Sequence, residues 1–218
     1  MRQSRVFQSA LLVLFVAFLL VWLHEPPYEL HLLIHVVPTW IAVATLAASI
    51  RYFSLSNANF TWVVSFLALH VVGTRYIYSN VPYDVWATDF FGMSVSETLR
   101  FGRNHYDRVV HFCYGLLIAP VAREVYSRVL RVGYGWSCFL AVEFILASSA
   151  AFELIEWLGA VRLAPEFADS YLGQQGDVWD AHKDTALALL GATVIMTSAA
   201  LWCCACQLIT RTSRRAAQ

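Results

Sequence analysis

Asp107 and His111 stand four residues apart, and Glu153 and Glu156 stand three apart. Asp177, Asp180 and Asp184 follow the spacing i, i+3, i+7, with His182 and Lys183 between them. Residues three or four apart share one face of a helix, so each set presents its groups in one direction. Carboxylates and imidazoles are the ligands of hard and borderline divalent metals. Helical bundles build such sites from acids and histidines on facing helices, and a metal-bound water is nucleophilic near neutral pH. Without a metal, adjacent carboxylates share protons. Asp107, His111, Glu153, Glu156 and Asp180 are therefore the candidate catalytic residues. Those five, with Asp177 and Asp184, are the candidate ligands of a divalent metal whose identity the spacing leaves open. Arg100, Arg103 and Arg108 are candidates to hold a phosphate or carboxylate on a substrate.

Each set also has a purely structural reading. Asp177 and Asp180 cap the helix that follows and complement its dipole. Asp107 and Arg108 form an ion pair at a helix start. His31 and His35 sit at a membrane interface, and His70 is a packing residue held in reserve with His182. Glu153 and Glu156 need partners on either reading, because two acids one turn apart in an apolar segment are costly to leave alone.

The elements that position these groups are membrane spans. The chain has 218 residues, 59% of them hydrophobic and 14% charged, whereas a soluble domain is about a quarter charged. A spanning helix needs about 20 mainly apolar residues. Residues 6–23, 32–50, 60–78, 109–126, 136–158 and 185–209 qualify, so the expected fold is all-α: a polytopic membrane bundle of about six transmembrane helices, forming a single integral-membrane domain over 1–218. The bilayer is the implied partner. A net charge of zero argues nothing for nucleic acid, and no protein partner is indicated.

Orientation follows from the basic residues. With both termini cytoplasmic, the inner segments hold Arg2, Arg5, Arg51, Arg128, Arg131, Arg211, Arg214 and Arg215 and no acid. The outer segments hold Glu25, Glu29, Asp84, Asp89, Glu97, Asp107, Glu166, Asp169, Asp177 and Asp180, with Arg100, Arg103 and Arg162. All seven histidines (His24, His31, His35, His70, His105, His111 and His182) then fall on the outer side. Residues 6–23 read as a retained first span rather than a cleaved signal, because Leu23-His24-Glu25-Pro26-Pro27 offers no small-residue cleavage site. Glu124 lies about 25 Å along the helix from Asp107, near Arg123, Arg128 and Arg131, and Glu143 is expected to pair there too. Cys203 and Cys206 have a C-x-x-C spacing that reads as helix packing, and no disulfide framework is implied. Ser94 and Glu97 match a capping box in the outer segment 79–106.

Several ordered motifs carry a family likeness. Asn104-His105-Tyr106-Asp107-Arg108-Val109-Val110-His111-Phe112 resembles the N-x-Y-D-R-x-x-H-F segment of YjdF-like inner-membrane proteins. Ala122-Arg123-Glu124, Ser149-Ala150-Ala151-Phe152-Glu153-Leu154-Ile155-Glu156-Trp157 and Leu172-Gly173-Gln174-Gln175-Gly176-Asp177-Val178-Trp179-Asp180 are similar to its later motifs, with Gln174 where Thr is expected. The resemblance implies a bacterial, multi-pass inner-membrane protein and brings no activity with it. Gly176, Asp180 and Asp184 also match half of the CDP-alcohol phosphotransferase signature, but its D-G-x-x-A-R half is absent. Three readings stay open: a membrane enzyme, metal-dependent, with an outward-facing carboxylate and histidine site acting on a lipid or on a phosphate- or carboxylate-bearing substrate; a cation- or proton-coupled transporter using the same acids; and a non-catalytic assembly or interaction protein.

Overall fold

The computed structural model describes the backbone of residues 4–27, 29–163 and 174–216, and their side chains apart from 29–35, 163 and 207–216. The side chains of Glu29, His31 and His35, the acids Glu166 and Asp169, and the arginines Arg2, Arg211, Arg214 and Arg215 lie outside the described residues. Among those described, the regular structure is entirely helical: α1 (Arg5–Trp22), α2 (Glu29–Tyr52), α3 (Asn57–Arg75), α4 (Tyr83–Phe91), α5 (Val95–Leu99), α6 (Tyr106–Val129), α7 (Tyr134–Leu163) and α8 (Asp180–Ala216).

Each apolar segment expected to span is a helix, but the helices are not equivalent. α1, α6, α7 and α8 are long and apolar enough to cross a bilayer. α2 has a shorter apolar stretch, Val36–Tyr52. α3 carries Asn57, Asn59, Thr61, Ser65, His70, Thr74 and Arg75 within its 19 residues, which dilutes its hydropathy.

Two apolar cores meet on α6. Leu12, Phe15 and Leu19 of α1, Val43 and Leu46 of α2, and Phe60, Val64, Leu67 and Val71 of α3 pack together and reach Val121 of α6. Ala119 and Ala122 of α6 pack with Ala141 and Ile145 of α7 and with Ala188, Ala192 and Met196 of α8. The small residues let α6 and α8 approach closely, as membrane helices do where side chains are small. A Cβ placed on Gly115 would lie 1.9 Å from the Ala188 carbonyl oxygen, and one on Gly191 would lie 2.2 Å from that of Phe112.

Polar contacts fix both ends of the bundle. At one end Glu124 is 2% exposed and accepts from the Ser56 backbone N–H at 2.9 Å, the Ser56 hydroxyl at 2.7 Å, Asn59 Nδ2 at 2.5 Å and Arg128 Nη1 at 3.0 Å. Arg128 is thus the arginine that neutralises it, while Arg123 stacks over the Tyr134 ring at 5.1 Å. Glu143 departs from expectation: it is exposed on α7 and makes no ion pair or hydrogen bond among the described residues, because Ala141 and Ile145 take the inward face of that turn and leave it on the outward one. At the other end Arg75 donates to the backbone carbonyls of Trp22, His24 (3.0 Å) and Glu25 (3.4 Å), occupying oxygens at and just beyond the end of α1.

The segment between α3 and α6 folds into the short helices α4 and α5. Ser94 caps α5 by accepting from the Glu97 N–H at 3.2 Å, and the Ser94 hydroxyl donates to Asp84 at 3.0 Å. The Ser96 N–H also donates to Asp84, at 2.8 Å. What burial there is pushes the Asp84 carboxyl up, but the hydrogen bonds from Ser96, Ser94 and the Val95 backbone outweigh it and hold it below the ordinary 3.8. A folded-state value below the unfolded one stabilises the fold fully above 3.8, and that contribution is lost as pH falls through the lowered value. Acidification from about pH 5 to below 3.8 is therefore expected to lower the protection of the Ser96 and Glu97 amides, read as the hydrogen-exchange rate relative to the intrinsic rate at each pH. Asp84→Asn should remove the acid step, leaving these amides with no such pH dependence.

Candidate functional site

α6, α7 and α8 bring the spaced acids to the same end of the bundle, where they divide into two groups. The first is an ion network. Arg108, 8% exposed, approaches Asp177 at 3.0 Å, Asp180 at 2.5 Å and Asp184 at 2.9 Å. Arg103 reaches Asp180 at 2.7 Å, and Lys183 reaches Asp177 at 2.7 Å. The expected pairing of Arg108 with its neighbour Asp107 is not what forms, because consecutive residues on a helix point in different directions. Nor is Asp180 simply a cap: its carboxylate is taken by the two arginines. Asp177 does serve the helix start, accepting from the Trp179 N–H at 3.1 Å. The hydrogen bond from Lys183, then that from Trp179 and the charges around it, hold its carboxyl below 3.8.

The second group is Asp107, His111, Asp184, Glu153 and Glu156. One ligand atom from each of Asp107, His111 and Asp184 lies within 4.8 Å of the others. His111 Nε2 is 3.3 Å from Glu153 Oε1 and 3.6 Å from Asp107 Oδ1. Arg108 is ion-paired to Asp184 without hydrogen-bonding geometry. Asp184 Oδ1 and Glu153 Oε1 are buried and accept no hydrogen bond from the described residues. The three cations of the network ion-pair with Asp177, Asp180 and Asp184, whereas Asp107 and Glu153 have His111 as their ion-pair partner among the described residues.

Asp107, His111 and Glu156 line a cavity of about 250 Å³. Its other walls come from Pro38, Thr39 and Ala42 of α2, Phe66, Leu67 and His70 of α3, Tyr78 of the turn that follows α3, Val110 and Tyr114 of α6, and Ser148, Ser149 and Phe152 of α7. His70, placed by sequence among the packing residues, is part of this wall, and its Nδ1 is hydrogen-bonded to the Tyr78 hydroxyl. Sequence spacing missed Tyr78 altogether. Ile77 and Tyr78 take positive φ values of 51° and 44°, a conformation that costs free energy, most for a β-branched residue such as Ile77. The turn is held by the Tyr78 N–H donating to the Gly73 carbonyl at 2.8 Å, and it folds the Tyr78 ring over Gly73, where a Cβ would lie 2.5 Å from it. The remaining described histidines stay apart: His182 packs on Trp179 at 5.4 Å and His105 on Phe101 at 4.2 Å. Burial, then the positive charges of Arg103 and Arg108, hold the His105 imidazole below its ordinary 6.5.

A helical membrane bundle with acids and a histidine clustered at one end of an apolar cavity is the class that fold and site define. The chain belongs to the DUF2238 family of predicted membrane proteins, whose pattern matches residues 7–204. It is 39% identical over 161 residues to the inner membrane protein YjdF of Escherichia coli (strain K12), covering 73% of each chain. No solved structure matches it.

Proposed function

We propose that this chain is a metal-dependent enzyme of the bacterial inner membrane, acting on the polar end of a lipid or lipid-like substrate. In this reading Asp107, His111, Asp184 and Glu153 hold a divalent cation, and Glu156 is the general base. Arg103 and Arg108 fix the carboxylates of Asp180 and Asp184 from behind, as residues bonded to the ligands of a metal orient them. Asp177 and Asp180 then serve the ion network rather than the metal. The observation that carries the reading is the approach of Asp107, His111 and Asp184 ligand atoms to within 4.8 Å. It is joined by the two carboxylate oxygens, on Asp184 and Glu153, that are buried and accept no hydrogen bond from the described residues. Asp184 is ion-paired to Arg108, but Asp107 and Glu153 approach only the His111 imidazole among the described residues, and a further cation relieves that excess of buried carboxylates. Three carboxylates and one imidazole suit Zn²⁺ or Mn²⁺. Such an ion supplies an activated water and polarises a phosphoryl or carbonyl oxygen.

The membrane assignment rests on the family and on the name of the E. coli relative. We take α1, α2, α3, α6, α7 and α8 as six spans of a single integral-membrane domain, with both termini cytoplasmic. The arginine bias supports this orientation, and it puts the site on the outer side. The same acids would also suit a cation- or proton-coupled carrier. The saturated hydrogen bonding of Glu124 at the far end of α6 favours the enzyme, since that carboxylate is locked in place.

Elemental analysis of protein purified with Zn²⁺ and Mn²⁺ supplied is expected to find about one metal per chain, with His111→Ala and Asp184→Asn each losing it. Added metal should raise the Tm of the wild type and leave that of Asp184→Asn unmoved. No bound metal and no thermal shift would remove the basis of the proposal. Proteoliposome flux of protons or divalent cations abolished by Glu156→Gln would transfer the site to the carrier reading.

A further inference from the structure

Ser149 lies on α7 one turn before Glu153, is 2% exposed and lines the cavity. Its hydroxyl makes no hydrogen bond among the described residues. Its neighbour Ser148 shows the ordinary arrangement, donating to the Phe144 carbonyl at 2.6 Å and lying 2.6 Å from the Tyr114 hydroxyl. Helical serines commonly satisfy themselves on the carbonyl four residues back. A buried hydroxyl that makes no such bond is destabilising and calls for an explanation. Asp107 and Glu156 line the same cavity and offer acceptors, whereas Pro38, Ala42, Phe66 and Leu67 offer only apolar surface. The cavity is therefore amphipathic, and one hydroxyl on its wall, that of Ser149, donates to nothing among the described residues. An uncharged acceptor suits that donor, because an anionic one would be repelled by the acids.

We propose that the cavity binds a single-chain acyl ester, whose carbonyl oxygen accepts from Ser149 Oγ and whose chain lies along Pro38, Ala42, Phe66 and Leu67. This names the substrate class of the site proposed above and rests on that reading.

The test compares two probes with the same chain and head group, 1-lauroylglycerol and 1-O-dodecylglycerol, of which only the first has a carbonyl. Each is titrated into the detergent-solubilised full chain and followed by native mass spectrometry. The ester is expected to bind about tenfold more tightly than the ether, a ratio worth about one hydrogen bond. Ser149→Ala should make the two probes equal, with an unchanged or higher Tm and unchanged metal content. Ala42→Phe should weaken both probes, and Ala42→Leu provides a smaller intrusion should the larger one impair folding. Equal affinity for the two probes in the wild type, or a preference that survives Ser149→Ala, overturns the proposal, and so does binding indifferent to both Ala42 variants. Metal bound with no ester preference defeats this inference alone, whereas ester preference without metal defeats the metal centre and leaves the acyl site standing.

Discussion

Gly115→Ala is expected to lower the Tm sharply and to loosen the metal centre although it touches no proposed ligand. Its new methyl would sit 1.9 Å from the Ala188 carbonyl oxygen and 2.7 Å from the Ala192 nitrogen. Both are backbone atoms, so no side chain can rotate out of the way and the helices must separate. Overpacking a tight contact costs about 1–3 kcal/mol, sometimes more. Gly115 lies one turn beyond His111 on α6, and Ala188 one turn beyond Asp184 on α8. Separation at the glycine therefore widens the gap between the ligands above it. Gly102→Ala, with nothing within 4 Å of the new atom, is the control and should leave Tm and metal content unchanged. Thermal unfolding and metal analysis of the two variants check this, and a wild-type Tm with wild-type metal affinity in Gly115→Ala would refute it.

The second large effect is expected at Arg108. Replacement by Met keeps much of the side-chain volume and removes the charge that approaches Asp177, Asp180 and Asp184. Asp180 and Asp184 have side chains 5% and 1% exposed, so their charges cannot be screened by water in place. Breaking a buried pair by removing one partner costs about 3–5 kcal/mol. Arg103 still reaches Asp180, which leaves Asp184 as the most exposed to the loss. Arg108→Met should therefore be rescued more by Asp184→Asn than by Asp177→Asn, whose carboxylate keeps Lys183. A double-mutant cycle on Tm measures this. Equal rescue by the two would show that Arg108 is not the counter-ion of Asp184.

Helix positions and the face shared by each spaced set, Asp107 with His111, Glu153 with Glu156, and Asp177 with Asp180 and Asp184, were legible in the sequence, because both depend on periodicity along one chain. Pairing across helices was not. Spacing places Arg108 next to Asp107 but does not say that its side chain crosses to α8. It likewise puts Arg128 near Glu124 without revealing Ser56 and Asn59, polar residues of ordinary type whose role comes from where the start of α3 meets α6. Glu143 shows the reverse error, since charge along the sequence suggested a partner that the helix rotation denies it. Tyr78 was hidden for a different reason. Its place in the cavity depends on two consecutive residues with positive φ, neither of them glycine, and residue preferences argue against such a turn. The room that Gly73 leaves for the ring is the one sequence signal that agrees with it.

The meeting of both apolar cores on α6 has a mechanical consequence. α1, α2 and α3 form one body and α7 and α8 another, each packed on its own face of the same helix. The cavity is bounded by α2 and α3 on one side and α7 on the other. Glu124 ties Ser56 and Asn59 of the first body to α6, and the close Gly115–Ala188 approach ties α8 to the other face. Asp107, His111 and Asp184 therefore belong to the α6–α8 seam, while Pro38, Ala42, Phe66 and Leu67 of the apolar wall belong to the first body. The polar groups and the apolar wall are thus carried by different halves of the bundle, so either can change without repacking the other.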